Sequence, residues 1–97
     1  MNQEQMQQKI ENKCLEICKF LLEKNKSYGN SAAENINIFS TLQPIEGVKL
    51  RIDDKLKRIK NQSQKVEHAF MDENNIRDLI GYLILFEILS ADVNQTK

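Results

Sequence analysis

Apolar residues recur at three- and four-residue steps along most of this chain, which is the spacing of one face of an α-helix. In a first segment, residues 2–24, the recurring positions are Met6, Ile10, Cys14, Ile17, Cys18, Leu21 and Leu22. A later segment, residues 45–62, follows Pro44 and places Val48, Ile52, Leu56 and Ile59 on one face. Both segments are predicted to form amphipathic helices, the second of them basic.

Residues 25–44 interrupt this pattern with the polar stretch NKSYGNSAAEN. Gly29 can adopt a positive φ angle as a helix C-terminal cap or in a turn, and Asn30 can cap the helix that follows. The sequence SAAENINIFSTL predicts that following helix to be short. The spacing of Ile36 and Ile38 fits an extended strand equally well.

The last segment, residues 73–90, has an N-cap candidate in Asp72 and apolar residues on all sides of its axis. A helix that is apolar all round is buried on most sides, and a small chain has few helices with which to cover it. A second copy of the chain is the simplest cover, which predicts a dimer or a higher homo-oligomer. The apolar residues concerned are Leu79, Ile80, Leu83, Ile84, Leu85, Phe86, Ile88 and Leu89.

No β-branched alternation of useful length is present, and a loop is predicted between the last two helices, around His68. The predicted fold class is therefore all-α. We expect residues 1–97 to form one domain, a small bundle of three to four helices completed by homo-oligomerisation.

The charge balance bears on partners and location. Fourteen basic and fourteen acidic side chains give a net charge of zero, so the attraction that drives non-specific nucleic-acid binding is missing for the chain as a whole. The longest apolar run, LIGYLILFEIL, is shorter than the roughly 20 residues needed to span a bilayer. The polar N-terminus lacks the organisation of a signal peptide. A cytoplasmic protein without membrane or nucleic-acid partners is predicted.

Cys14 and Cys18 are the only cysteines, and their spacing predicts two reduced thiols that pack as small apolar groups in a core. A metal site would need two further ligands, and the single histidine, His68, is distant in sequence. We expect His68 to have a structural or solvent-exposed role rather than a catalytic one.

Three cations of the basic helix form the first candidate binding surface. Arg51 and Arg58 are seven residues apart and share a face, with Lys55 between them and nearer the apolar stripe. A phosphate beside the helix could contact all three. The alternative is a solvated surface with exposed ion pairs of small energetic value.

Asp78 and Tyr82 form the second candidate, because four-residue spacing places them on one face of the apolar helix. A carboxylate on a buried helix needs a partner, which could be a cation of the basic helix or a metal ion. The alternative to a binding role is an ion pair from Asp78 to Arg51, Lys55 or Arg58 that fixes the packing of the two helices.

Three stretches of this chain, taken in order, resemble the nucleotide modification associated domain family, which consists of small all-helical proteins common in bacteriophages and firmicutes. The stretches are KNKSYGNS, VKLRIDDKLKRIKN and IRDLIGYLIL. The resemblance covers about residues 21–89. The residues at the matching positions are Tyr28, Gly29, Arg51, Asp54, Lys55, Arg58, Asp78 and Tyr82.

That family looks like a distant relative of the MazG- and dUTPase-type pyrophosphohydrolases, which hold Mg²⁺ with a Glu-Glu-x-x-Glu helix and a Glu-x-x-Asp helix. This sequence departs from that pattern, because Glu11, Glu16 and Glu23 form no tight acidic cluster, and Asn75 stands three residues before Asp78. The resemblance implies weak Mg²⁺ binding at most, with Asp78, Glu73 and Glu16 as the candidate ligands.

The resemblance implies a nucleotide-binding protein without efficient catalysis, encoded by a phage and able to sequester a nucleotide or a cyclic-nucleotide signal of host defence. Tyr28 would stack on the base or ribose, Gly29 would let the backbone approach the ligand, and Asn30 would bind a polar edge. The simpler interpretation of this turn is a helix cap. Two other functions stay open: a Mg²⁺-dependent MazG-like pyrophosphohydrolase in which Glu11 joins the candidate ligands, and a protein-interaction module.

Overall fold

The structure, a computed structural model, describes the backbone of residues 1–30, 32–34, 41–65 and 73–95. This part of the chain forms three α-helices and no β-strand. The helices are α1 (Gln3–Ser27), α2 (Pro44–Lys65) and α3 (Glu73–Gln95). The predicted all-α class is confirmed for the residues described.

Three of the predictions fall largely or wholly outside the described residues. Of the short helix predicted between α1 and α2, only residues 32–34 and 41–43 are described, and they are not helical. His68 and the N-cap candidate Asp72 lie outside the described residues altogether.

The chain divides into two compact units, Met1–Asn30 and Ser31–Lys97. The first unit contains α1, and the second contains α2 and α3, which pack against each other. The expectation of a single domain over residues 1–97 stays a prediction. In the described part of the chain, no helix combines the length and the apolar character that a membrane crossing requires.

A capping box starts α1. The Asn2 Oδ1 atom accepts a hydrogen bond from the backbone N–H of Gln5, at 2.8 Å, and the Gln5 side-chain oxygen accepts one from the Asn2 N–H, at 3.0 Å. The first N–H groups of a helix have no partner within the helix, and this reciprocal pair satisfies two donors at its start. The sequence thus specifies where α1 begins.

The predicted apolar stripe of α1 is covered only around Ile17, which is 8% exposed. Met6 and Ile10, on the same stripe, are exposed. Cys14 and Cys18 are free thiols, as predicted, but the prediction that they pack in a core is wrong, since both are exposed. At about 100° per residue, these two cysteines lie about 60° and 100° around the helix from Ile17.

The buried face of α2 is centred on Val48, which is 1% exposed, and it includes Lys55, which is 7% exposed. Half-buried Ile52 and Ile59 lie on the same face. The prediction that Leu56 belongs to this face is wrong, because Leu56 is 48% exposed. Position 56 lies about 80° around the helix from Val48, whereas position 55 lies within about 20°.

The apolar surface of α3 is only partly covered within one chain. Gly81 is buried, and Leu79, Leu85 and Phe86 are half-buried. Three large apolar side chains remain 40%, 47% and 57% exposed, namely Ile76, Leu83 and Ile88. The expectation that α3 is buried on most sides is therefore not met by a single chain, and homo-oligomerisation stays a prediction.

Candidate functional site

Lys55 of α2 and Asp78 of α3 form an ion pair between the two helices. The Lys55 Nζ atom lies 3.2 Å from Asp78 Oδ2, and the Lys55 and Asp78 side chains are 9% and 20% exposed. The same ammonium also donates to Asn75 Oδ1 at 3.4 Å, and Asn75 is 8% exposed. A lysine removed from water needs such partners, because an unpaired buried charge is strongly unfavourable.

Heptad-like spacing brings these polar residues into the contact. On α2, Lys55 follows Val48 by seven residues, and on α3, Asn75 and Asp78 stand three residues apart with Tyr82 four further along. These steps keep each set on one side of its helix. Tyr82 is half-buried on the side of α3 that carries Asp78.

Asn75 is the member of this cluster that the sequence analysis missed. It was noted only as a position where an acidic metal ligand is absent. Its position three residues before Asp78, on the same face, was the available signal. The interpretation of Asp78 as an ion-pair partner of a cation on α2 matches the structure, which identifies that cation as Lys55.

Arg51 and Arg58 lie on the exposed flank of α2 beside the buried lysine. Arg51 precedes Lys55 by four residues and Arg58 follows it by three, so both lie about 40–60° around the helix from Lys55. Both arginines are exposed. The Arg58 Nε atom is 3.2 Å from Asp54 Oδ2, in a pair whose side chains are 62% and 60% exposed. A surface pair of this kind contributes little to stability, so Arg58 can exchange its partner at low cost.

The first unit ends in a Schellman motif at the predicted Tyr-Gly-Asn turn. The Asn30 N–H donates to the Asn25 carbonyl at 3.0 Å, and the Gly29 N–H donates to the Lys26 carbonyl at 3.2 Å. Gly29 has a φ angle of 61° and Asn30 one of 64°. The prediction that Gly29 caps the helix with a positive φ angle is confirmed, and this role alone accounts for the glycine.

Tyr28 is the C-cap residue of α1, and its side chain is exposed. The Lys24 Nζ atom lies 6.0 Å from the centroid of the Tyr28 ring and 5.1 Å from that of Phe20. Cation–π attraction at this range is weak where the groups are exposed. The Tyr28 ring therefore keeps a face that solvent can reach.

The structure does not bring the three candidate metal ligands, Glu16, Glu73 and Asp78, together in a described metal site. Glu16 lies on α1, where its Oε2 atom is 3.1 Å from the Lys13 Nζ atom. Glu73 is the first residue of α3, and its side chain is not among those described. Asp78 is already paired with an ammonium, which would repel a divalent cation. Within the described part of the chain, no three His, Cys, Asp or Glu residues converge to hold a metal ion.

Comparison with protein-family models, with curated proteins and with solved structures found no match for this chain. The resemblance to the nucleotide modification associated domain family therefore stays a prediction that rests on the three stretches quoted above.

Proposed function

We propose that this chain binds a nucleotide through its phosphate groups and does not hydrolyse it efficiently. The phosphate ligands in this proposal are Arg51 and Arg58, on the exposed flank of α2. The bound compound is a nucleotide or a cyclic-nucleotide signal that the protein sequesters. A phage origin and a role against host defence are part of the proposal and follow from the family resemblance alone.

The observation that carries the proposal is the exposure of Arg51 and Arg58 on one flank of α2, next to the contact between Lys55 and Asp78. Lys55 and Asp78 belong to two separate stretches of the family resemblance, and they stand 23 residues apart in the chain. Positions of a shared functional motif are expected to meet in space. Their direct contact at 3.2 Å supports treating the two stretches as parts of one site.

The burial of Lys55 changes the role that the sequence analysis gave it. Its ammonium is held by Asp78 and Asn75 inside the helix pair, so we assign it the positioning of α2 against α3. Phosphate binding then falls to the two arginines that flank it. Guanidinium groups suit this task, because they stay charged and can bind phosphate oxygens with two parallel hydrogen bonds.

The pairing of Asp78 also favours binding over hydrolysis. Pyrophosphohydrolases of the MazG type need carboxylates that hold Mg²⁺ next to the phosphate anhydride. Mg²⁺ at Asp78 would approach a carboxylate whose Oδ2 atom lies 3.2 Å from an ammonium nitrogen. Like charges so close raise the free energy of the metal-bound state.

The base-binding role of Tyr28, Gly29 and Asn30 is kept as a separate element of the proposal. The exposed ring of Tyr28 supports it, since an accessible aromatic face can stack on a base. Gly29 and Asn30 contribute the backbone turn that fixes the direction in which the chain leaves α1.

A thermal-shift screen tests the proposal. The purified protein is heated with nucleoside mono-, di- and triphosphates and with cyclic di- and trinucleotides, each with and without Mg²⁺. A ligand at 100 times its dissociation constant adds about 2.7 kcal/mol to the free energy of unfolding, which is several degrees in a domain of this size. Any ligand that shifts the midpoint is recovered and analysed by chromatography.

The expected result is a shift from one class of nucleotide, with that nucleotide recovered unchanged. Recovery as a monophosphate with pyrophosphate would replace the proposal by the pyrophosphohydrolase function. The absence of a shift with every compound would overturn nucleotide binding and favour the protein-interaction module.

A further inference from the structure

Cys14 and Cys18 place two free thiols on one exposed side of α1. Four residues separate them, so their positions lie about 6 Å apart along the helix axis and within about 40° of each other around it. Cysteine is among the most often buried residue types, and an exposed thiol is open to oxidation. Packing in a core does not account for two exposed thiols side by side.

The spacing of the two thiols does not favour a disulfide bond between them. Residues four apart on a helix have Cβ atoms about 5–6 Å apart. A disulfide bond needs a Cβ–Cβ distance of about 3.5–4.5 Å, so closing it would distort this turn of α1.

The same spacing suits a metal ion held between the two sulfur atoms. A bond from a thiolate to a metal ion such as Zn²⁺ is about 2.3 Å long, so two thiolates on opposite sides of one ion stand about 4–5 Å apart. Rotation about χ1 brings the sulfur atoms to this separation, because the Cβ atoms are only slightly further apart.

The number of ligands decides which kind of ion fits. The chain has two cysteines and one histidine, fewer than the four Cys and His ligands of a structural zinc site. Thiolates are soft ligands and select Cu⁺, an ion that two ligands in a line can satisfy. The thiol pair is therefore complete for Cu⁺ and incomplete for Zn²⁺.

The neighbours of the thiol pair on α1 favour the same ion. Of the other positions three or four residues from either cysteine, five are apolar and one, Glu11, is charged. An apolar border restricts water at a site, which disfavours hard, strongly hydrated cations such as Mg²⁺ more than Cu⁺. The apolar neighbours are Ile10, Leu15, Ile17, Leu21 and Leu22.

We propose that Cys14 and Cys18 bind one Cu⁺ ion per chain between their sulfur atoms. Each thiol loses its proton when the ion binds, so two protons are released and the occupied site carries a single negative charge. The copper enters and stays as Cu⁺, so no electron is transferred. This site is independent of the proposed nucleotide binding, because neither cysteine belongs to the phosphate site.

A competition titration tests the site. The whole protein, reduced and kept free of oxygen, is titrated in the presence of ascorbate against a coloured Cu⁺ chelator of known affinity. The protein should withdraw one Cu⁺ per chain, and X-ray absorption at the copper edge should show two sulfur neighbours. Cys14→Ser and Cys18→Ser should each raise the dissociation constant for Cu⁺ by at least about tenfold, since the remaining thiol has no partner on the helix.

A variant that keeps two thiols provides the matched control. Cys14→Ser with Glu16→Cys leaves two thiols only two residues apart, about 160° from each other around α1. This variant should bind Cu⁺ no more tightly than Cys14→Ser alone, and circular dichroism checks that each variant keeps its helices. Less than one ion per chain, an affinity that either serine variant leaves unchanged, a control that binds as tightly as wild type, or more than two sulfur neighbours would each overturn the inference.

Discussion

Lys55 and Asp78 join α2 to α3 through an ion pair of 3.2 Å that is mostly withdrawn from solvent. Asn75 completes the set of oxygen acceptors around the ammonium. Lys55 lies on the face of α2 that also carries buried Val48 and half-buried Ile52 and Ile59. A polar contact of this kind can fix how two helices align, because a shifted alignment would leave the buried charge without its partner.

Replacement of either partner should destabilise the protein. Loss of one member of a buried pair costs about 3–5 kcal/mol, and because Asp78 is 20% exposed, we expect about 2–3 kcal/mol for Lys55→Met or Asp78→Leu. Urea unfolding measures the loss. The double variant should lose less than the sum of the single variants by at least about 0.5 kcal/mol, since it leaves no unpaired charge. Strictly additive losses would show that the two side chains do not interact.

Asp54→Asn provides the control for that experiment. It removes the acceptor of an exposed ion pair with Arg58 on the same helix. Exposed pairs contribute little, so the free energy of unfolding should change by less than about 0.5 kcal/mol. A loss as large as that of Asp78→Leu would contradict the distinction between the buried and the exposed pair.

The same substitution at two glycines should have opposite effects. Gly29 has a φ angle of 61°, and a Cβ atom added there would meet no neighbouring atom, so Gly29→Ala is opposed only by the backbone conformation. We expect it to cost about 1 kcal/mol. Gly47 lies within α2 with equally open space around an added Cβ, and Gly47→Ala should stabilise the protein by about 0.5–1 kcal/mol. Thermal unfolding of the two variants, side by side with wild type, checks the opposite signs.

Asn30 offers a related prediction about the end of α1. It adopts a φ angle of 64°, which asparagine tolerates and β-branched residues do not. Asn30→Val should therefore destabilise the protein by about 1–2 kcal/mol, whereas Asn30→Gly should be neutral or slightly stabilising. Equal stability of the two variants in urea would mean that residue 30 does not hold this conformation in solution.

Phosphate recognition should depend on two arginines in particular rather than on positive charge in general. Arg51→Ala with Arg58→Ala should weaken the binding of the nucleotide found by the screen by at least about tenfold. Lys49→Ala with Lys57→Ala removes the same charge from other exposed positions of α2 and should leave the affinity nearly unchanged. Isothermal titration measures both. Equal losses in the two double variants would point to a non-specific effect of charge.

The helical class and the cap at Gly29 could be predicted from the sequence, because periodicity and the conformational freedom of glycine act locally. The burial of Lys55 was not predicted. A lysine is ordinarily assigned to the surface, and only the seven-residue step from Val48 indicated that it belongs to the buried face. Asn75 was missed because its role depends on Lys55, which lies 20 residues earlier in the chain.

The buried face of α2 shows that a pattern of four-residue steps can predict the wrong residues for a helix face. Steps of four residues from Val48 lead to Ile52 and then to Leu56, but each such step advances about 40° around the helix. The covered face follows alternating steps of four and three instead, through Ile52 to Lys55. Packing against α3 decides which of these two paths is buried. The sequence of α2 alone does not determine it.

The measurement that tests the central claim most directly compares a nucleotide with the nucleoside that lacks its phosphates. The unfolding midpoint of the wild-type protein is recorded with each compound at the same concentration. The account predicts an increase of several degrees with the nucleotide and little change with the nucleoside, because Arg51 and Arg58 bind phosphate. Equal shifts with the two compounds, or no shift with any nucleotide, would contradict it.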